Sequence, residues 1–481
     1  MESGFSWAGF IESVNLFASI IVVFGIPFTV LSLYKRQLRS IFSTVCRSPA
    51  PEVAKYNEVH DKIFSYYTLD SSLFVIDIQY LSESIEKLYN NKIKFDMFGE
   101  HNYKFPLICE EWWLKSKCPN LLIKNCGLEK ENNGKLSEGS LSDDKLKMST
   151  NFLNLFQIEN YPDFLGSISN KEMWNGRTFD LCKIDPKPEI KALELHFILG
   201  RYFNYVKYYD LIAKELYFHL YIKRSEKFLI WLLKPLLLKF RVRESLLKEQ
   251  IFEFKGRPVK LGINVFVLMK KDENKYCTFI QKRGELQVEQ PGFYSVAPAG
   301  AFQPLSDFHE KIIEEQCHFQ YTVLREFLEE VYDLEEADWK NRSADPFNIF
   351  RLEKRKNFTP GKYLLTDEEI KNRDIPSKKD NIYEIIPTGF LIDLVTLKPE
   401  LTVLLLIKDI EVYRKSKEII EGKENIEGNW EGHVLEFDIE SDDFAEFLNK
   451  NLNINNFSPA GAVALAEGLH YYFTTIKKSD T

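Results

Sequence analysis

The first pattern along the chain is a long apolar run near its start. Residues 13–34 contain no charged side chain, and the run is about long enough to cross ~30 Å of hydrocarbon as a helix. Basic residues follow it and only acidic ones precede it, and basic flanks stay on the cytoplasmic side of a membrane. We therefore expect residues 10–34 to form a single-pass transmembrane helix that anchors a cytoplasmic body in the cell membrane. A cleaved signal peptide fits less well because no basic segment precedes the run, and a buried soluble helix is the remaining alternative.

The pattern between residues 53 and 250 is mixed and predicts a middle domain, α-rich or mixed, whose role the sequence does not indicate. Residues 73–78 form an apolar run that suits a buried strand or the start of a helix. From Glu189 to about Arg224, apolar residues recur at steps of three and four, as in an amphipathic helix. Residues 125–150 are rich in Gly, Ser, Asn, Lys and Glu, a composition typical of an exposed, flexible loop. Residues 228–238 are apolar with basic flanks and suit either a core helix or a helix lying on a lipid surface.

After Pro258 the pattern changes from helical to strand-like. The apolar runs at residues 261–269 and 276–280 are separated by a polar turn, which predicts a β-hairpin. A third short strand is expected at residues 293–296, and a Pro-Ala-Gly turn follows it. The chain then predicts a helix from about Phe308 to Asp333.

Three glutamates are predicted to share one face of this helix. Glu326 and Glu330 are four residues apart, and Glu329 comes three residues after Glu326. Carboxylates at that spacing repel one another, and a bound divalent cation would relieve the repulsion. Mg²⁺ characteristically binds a few carboxylates together with the phosphates of a substrate. The alternative is a charged helix face that is simply solvated.

Composition narrows the possible partners and the compartment. The formal net charge of -8 argues against binding to a DNA or RNA polymer, because such binding normally needs a cationic surface. The seven cysteines are scattered and contain no CxxC pair, as expected for reduced cytosolic thiols. The chain also contains no phosphate-binding GxxxxGK[ST] loop, GxSxG motif or HExxH motif.

The hairpin, the third strand, the Pro-Ala-Gly turn and the helix bearing the sequence REFLEE at residues 325–330 together resemble the Nudix family. The resemblance covers about residues 255–475. It implies an α+β sandwich of the Nudix type, with later strands near residues 390–410 and 433–439 and a closing helix at residues 459–475. It also implies that the domain hydrolyses or recognises nucleoside diphosphates linked to another group.

The resemblance also implies roles for single residues. Mg²⁺ or Mn²⁺ would be the cofactor. The chain departs from the family motif at two places: the loop before the helix is longer, and Cys317 stands where the motif has its first glutamate. The roles carried over by position are Glu329 and Glu330 as metal ligands, Glu326 as a ligand or general base, Arg325 as the residue that orients the glutamates, Glu431 as a further ligand from a later loop, and Gly300 and Arg283 as substrate-binding residues.

Three functions follow from these expectations. The first is a membrane-anchored enzyme that hydrolyses a nucleoside diphosphate-linked compound with a divalent metal. The second is a catalytically degenerate domain that binds a nucleotide as a sensor or effector, similar to the Nudix-like domains found beside nucleotide cyclases in bacterial antiphage signalling. The third is a membrane scaffold without a ligand. The sequence leaves the substrate and the oligomeric state open.

Overall fold

The structure is a computed structural model, and it describes only part of the chain. The expected transmembrane helix at residues 10–34, the segment 228–238 and Glu431 lie outside the described residues, and so does the expected loop except for its first residue. None of the helices within the described part combines the length and the apolar character needed to cross a membrane. The described residues are 39–40, 42–43, 73–77, 104–110, 120–125, 153, 158–169, 175–187, 189, 192–224, 254, 259–284, 292–304, 317–331, 383–393, 395–421, 432–452 and 456–479.

The described part is mixed α/β, as the sequence predicts at that level. The strands are β1 (Leu73–Asp77), β2 (Lys104–Glu110), β3 (Asn120–Asn125), β4 (Arg177–Lys187), β5 (Ala192–Arg201), β6 (Val259–Lys260), β7 (Gly262–Asp272), β8 (Lys275–Arg283), β9 (Tyr294–Val296), β10 (Ala299–Ala301), β11 (Tyr383–Asp393), β12 (Pro399–Ile407) and β13 (Gly432–Asp438). The helices are α1 (Tyr161–Ser169), α2 (Leu211–Arg224), α3 (Phe319–Glu326), α4 (Ile410–Glu421), α5 (Asp442–Asn451) and α6 (Pro459–Tyr471). The short helix Tyr202–Tyr205 and the π-helical turn Val206–Asp210 lead into α2, the π-helical turn Phe327–Val331 extends α3, and the π-helical turn Tyr472–Ile476 and the short helix Lys477–Ser479 extend α6.

The larger sheet has the order β1-β2-β11-β12-β7-β8-β13. The predicted hairpin is confirmed as β7 and β8, which pair antiparallel near Met269 and Cys277. Further from the turn, β9 pairs with β8 and β10 pairs with β7. Strands β7 and β12 run parallel, and β12 is buried along its whole length, as expected for a strand in the centre of a sheet with covered faces.

Helices α3 and α6 cover opposite faces of this sheet. Gly300 in β10 pairs with Ile263, and the side of Gly300 that lacks a side chain faces Glu326 of α3. Phe266 lies three residues after Ile263, so its side chain points to the other face, where its ring contacts Gly468 of α6. The sheet is therefore a middle layer between two helices.

The smaller sheet has the order β3-β5-β4-β6 and corrects one sequence prediction. The expected helix from Glu189 to Arg224 is wrong over its first part, because residues 192–201 form strand β5 and helical structure begins only at Tyr202. Within β5, every second residue faces the hydrophobic core. These buried side chains are Leu193, Leu195, Phe197 and Leu199. This period of two was not recognised because apolar residues in this segment also recur at spacings of three and four.

The two sheets are joined closely in sequence and in the core. Strand β6 belongs to the small sheet and β7 to the large one, with only Leu261 between them. The ring of Phe302, just after β10, lies 4.8 Å from that of Phe179 and 4.9 Å from that of Phe197 in the small sheet. Strand β2 pairs with β11. Both sheets therefore contain strands from either side of residues 250–255, where the sequence predicts a domain boundary.

A buried carboxylate in the small sheet occupies the space that Gly200 leaves open. Asp180 lies against Gly200 and accepts a hydrogen bond of 2.7 Å from the Thr178 hydroxyl. Burial raises the pKa of Asp180 to about 7, although the Thr178 hydrogen bond and the positive charge of Lys260 act in the opposite direction. Asp180 therefore holds its proton more tightly in the folded chain than in the unfolded chain.

This difference predicts a pH-dependent contribution to stability. Between the unfolded pKa of 3.8 and the folded pKa of about 7, the folded state binds more protons, so the free energy of unfolding falls as the pH rises through this window and levels off above it. Asp180→Asn should remove this dependence, a difference of at most about 4 kcal/mol between pH 4 and pH 8. Urea unfolding of the full chain followed by circular dichroism measures it. Asp443→Asn, at an exposed position in α5, should keep the wild-type profile, and an unchanged profile in Asp180→Asn would contradict the assignment.

Candidate functional site

Helix α3 carries two glutamates and an arginine into the protein interior. Arg325 is 3% exposed, Glu326 8% and Glu330 5%, values unusual for charged residues unless they have partners. The helix is fixed on the large sheet by Phe327, whose ring packs edge-on against Phe279 of β8 at 6.3 Å. The burial of this face follows from apolar neighbours such as Val323, which is fully buried.

Both buried glutamates reach the backbone of β10. A side chain on Gly300 would begin 2.6 Å from the carboxylate carbon of Glu326, so the carboxylate fills the space in front of this glycine. The backbone N–H of Ala299 donates a hydrogen bond of 3.0 Å to Oε2 of Glu330. The Pro-Ala-Gly segment identified in the sequence is thus the part of the sheet that faces the glutamates, and only glycine fits at residue 300 without moving Glu326.

Arg325 holds the site together from within the helix. Its guanidinium donates a short hydrogen bond to Glu326, lies 3.8 Å from Oε2 of Glu329, and donates to the carbonyl oxygen of Gln303 at 3.3 Å. Burial alone lowers the pKa of Arg325, but the carboxylates of Glu326 and Glu329 raise it above its ordinary value. The guanidinium therefore stays charged and pairs with Glu326 and Glu329.

Glu329 diverges from the other two glutamates. The chain from Phe327 to Val331 forms a π-helical turn, which contains more residues per turn than an α-helix. This turn keeps Glu330 nearly above Glu326 and rotates Glu329 toward solvent, where its side chain is 23% exposed. Within the described part of the chain, these three glutamates do not form a group whose ligand atoms all lie within 4.8 Å of one another.

The other described residues singled out in the sequence lie at the end of the hairpin and just before α3. Arg283 ends β8 and is paired with Gly432, the residue after Glu431, which itself lies outside the described residues. Cys317 is fully buried just before α3, and burial raises the pKa of its thiol. Tyr321, one helical turn before Arg325, has its pKa raised to about 12 by burial and stays protonated.

The chemistry of the buried side chains indicates which ligands the site could offer to a cation. Glu326 and Glu330 offer carboxylate oxygens, which suit Mg²⁺ and Mn²⁺. Two contributions were not visible in the sequence, namely the Ala299 N–H and the Gln303 carbonyl, because every residue has these backbone groups and only the fold selects them. The Pro-Ala-Gly turn was the one signal that pointed toward them.

Comparison with models of known protein families gives no match, and neither does comparison with curated proteins. The likeness to the Nudix family therefore rests on the quoted residues of the sequence alone.

The contacts of Arg325 predict a large effect on stability. Arg325→Met should lower the free energy of unfolding by about 3–5 kcal/mol, because it leaves the buried Glu326 carboxylate without its guanidinium. Adding Glu326→Gln to this variant should recover part of the loss, which a double-mutant cycle on urea unfolding measures. The matched control is Arg414→Met, which breaks the exposed ion pair with Glu411 and should cost less than about 1 kcal/mol. Equal losses in the two arginine variants would argue against a buried ion pair at Arg325.

Proposed function

We propose that this chain is a membrane-anchored Nudix-like protein that hydrolyses a nucleoside diphosphate-linked compound with Mg²⁺ or Mn²⁺. One observation carries the proposal: two buried glutamates of α3 lie against the backbone of β10, at Ala299 and Gly300. The elements that surround them, a hairpin, a third strand, and helices on both faces of the sheet, agree with the order of elements that the resemblance implies.

The charges of the site favour a bound cation. Glu326 and Glu329 both lie against the guanidinium of Arg325, and the buried Glu330 adds a third carboxylate, so the site has more negative than positive charge when the carboxylates are ionised. Buried charge of one sign is costly unless it is balanced. A divalent cation held by these carboxylates, with the phosphates of a substrate as its other ligands, would balance it.

The residues of the chain would divide the chemical work. A bound Mg²⁺ or Mn²⁺ would neutralise phosphate charge and lower the pKa of an attacking water. Glu330, fixed by the Ala299 N–H, would serve as a ligand, and Glu326 as a second ligand or as the base that accepts the proton of the water. Arg325 would keep Glu326 in place. Gly300 would serve the site by leaving room for the Glu326 carboxylate, and Arg283 would contact the substrate.

A second function is favoured by the divergence of Glu329 and by the buried Cys317 before α3. A site with fewer converging carboxylates can retain a nucleotide without hydrolysing it. In this version the domain would be a sensor or effector that binds a nucleotide signal, as in bacterial antiphage signalling. The two functions share the same site and differ in turnover.

Residues 10–34 would anchor either form in the cell membrane, with the body on the cytoplasmic side. The support is the uncharged run at residues 13–34 and the basic residues that follow it. An anchored nucleotide-binding body would act at the membrane surface.

The site predicts metal-dependent stabilisation that depends on Glu330. Saturating Mn²⁺ or Mg²⁺ should raise the free energy of unfolding of the full chain by about 1–3 kcal/mol, with a further rise when a nucleoside diphosphate sugar is added. Glu330→Gln should abolish most of this gain because it removes a charged ligand. Thermal unfolding with and without metal measures the effect. Glu411→Gln, a change at an exposed glutamate on α4, should respond to metal as the wild type does.

Turnover separates the two functions. If the wild type hydrolyses nucleoside diphosphate sugars with Mg²⁺ and Glu330→Gln does not, the chain is an enzyme. If the nucleotide binds with no hydrolysis in either protein, the chain is a nucleotide-binding module. Absence of both metal and nucleotide binding in the wild type would contradict the proposed site.

The anchor predicts behaviour in cell fractionation. The full chain expressed in bacteria should sediment with membranes and resist extraction at alkaline pH, and deletion of residues 10–34 should release it into the soluble fraction. A deletion variant that sediments but is washed off by high salt would instead indicate a lipid-surface contact elsewhere, for which residues 228–238 are the candidate. A full chain that is soluble from the start would contradict the anchor.

A further inference from the structure

Three potential metal ligands meet in the smaller sheet, away from helix α3. Asp185 in β4 and Glu194 and His196 in β5 have ligand atoms that all lie within 4.8 Å of one another. Within the part of the chain that the structure describes, they form the one such group of three His, Cys, Asp or Glu residues. Glu194 and His196 are buried and Asp185 is partly buried.

Sheet geometry places the three side chains on one face. Glu194 and His196 are two residues apart in β5, so both point to the same side of the strand. Asp185 is the direct antiparallel partner of Glu194, and the irregularity between Leu181 and Lys183 sets this register. Cβ atoms of directly opposed residues are about 5 Å apart, which lets two short side chains reach a common ion.

The distance between His196 and Glu194 fits a shared ion better than a direct hydrogen bond. Nε2 of His196 lies 3.4 Å from Oε1 of Glu194. An N–H···O hydrogen bond is usually near 2.9 Å, so this separation is long for one. Two ligand atoms that each bind a tetrahedral ion at about 2.1 Å are separated by about 3.4 Å. The observed distance between these two atoms therefore matches the distance between two ligands of one tetrahedral ion.

We propose that Asp185, Glu194 and His196 bind a divalent transition metal ion, with Zn²⁺ as the best match. Imidazole nitrogen favours Zn²⁺ over Mg²⁺, which prefers oxygen ligands and an octahedral shell. Three protein ligands leave a fourth tetrahedral position for water or for a group of another molecule. This site does not include the glutamates of α3, whose side chains offer only oxygen ligands. The proposed zinc site and the proposed hydrolysis can therefore be tested separately.

Two lysines form ion pairs with Asp185, and a metal ion would have to displace them. Nζ of Lys187 lies 2.9 Å and Nζ of Lys183 3.5 Å from Oδ2 of Asp185, and the two side chains are 34% and 59% exposed. Ion pairs this exposed contribute about 0–1 kcal/mol, so a metal ion can displace them. Removing one of these lysines therefore provides a control for the metal-binding experiment.

The test is metal binding to the full chain after removal of metals with a chelator. Zinc content after dialysis and calorimetric titration with Zn²⁺ give the number of sites, and Co²⁺ reports a tetrahedral site through its visible absorption. His196→Gln should remove one zinc site and the cobalt absorption, with a loss of affinity of about 100-fold or more. Asp185→Asn, at a partly buried position and so milder for folding, should weaken the same site.

Two further variants separate this site from the others. Glu330→Gln should leave the zinc site and the cobalt absorption intact, because it changes only the site on α3. Lys187→Gln should leave zinc affinity unchanged or raise it, since it removes a competing ammonium group. A wild type that binds no zinc, or one whose zinc and cobalt binding is the same in His196→Gln and Asp185→Asn, would overturn the proposal.

Discussion

The candidate site depends on how closely helix α3 approaches strand β10. Glu326 can lie against the strand only because Gly300 has no side chain, and Glu330 can accept a hydrogen bond from Ala299 only at the same separation. The approach buries carboxylates, which is tolerable because Arg325 is buried with them. The absent side chain, the two carboxylates and the guanidinium therefore form one arrangement, and changing any of them alters the position of the others.

A carboxyl group also lies against a glycine at two other places in the described sheets. Asp180 lies over Gly200 in the small sheet, and Glu400 lies over Gly262 at the start of β7. Each carboxylate again has a donor, Thr178 for Asp180, and both Asn264 at 2.9 Å and Lys398 at 3.1 Å for Glu400. A glycine in a sheet thus makes room for a buried carboxyl group, and the donor that binds this group lies two residues from it or from the glycine. Glu326 differs in coming from a helix, which leaves its other side free of the sheet.

The elements after residue 255 could be predicted well from sequence because their signals are local. The hairpin and the strand before the Pro-Ala-Gly turn follow from apolar runs bounded by turn residues. The grouping of Glu326 and Glu330 follows from helical spacing. The rotation of Glu329 could not be predicted, because a π-helical turn is selected by packing rather than by a residue pattern. The contact of Glu330 with the Ala299 N–H depends on tertiary structure alone.

The assignment of residues 192–201 decides whether the zinc site can be recognised at all. On a helix, residues 194 and 196 would point to nearly opposite sides, so Glu194 and His196 could not share an ion. On strand β5 they share a face. The antiparallel neighbour β4 places Asp185 directly opposite Glu194. Periodicity alone favoured the helix because Leu193, Phe197 and the residues of α2 continue its spacing. A ligand set that spans two strands can be recognised only after the strand register is known. Here the register of β4 and β5 brings together three polar residues that are separated in the sequence.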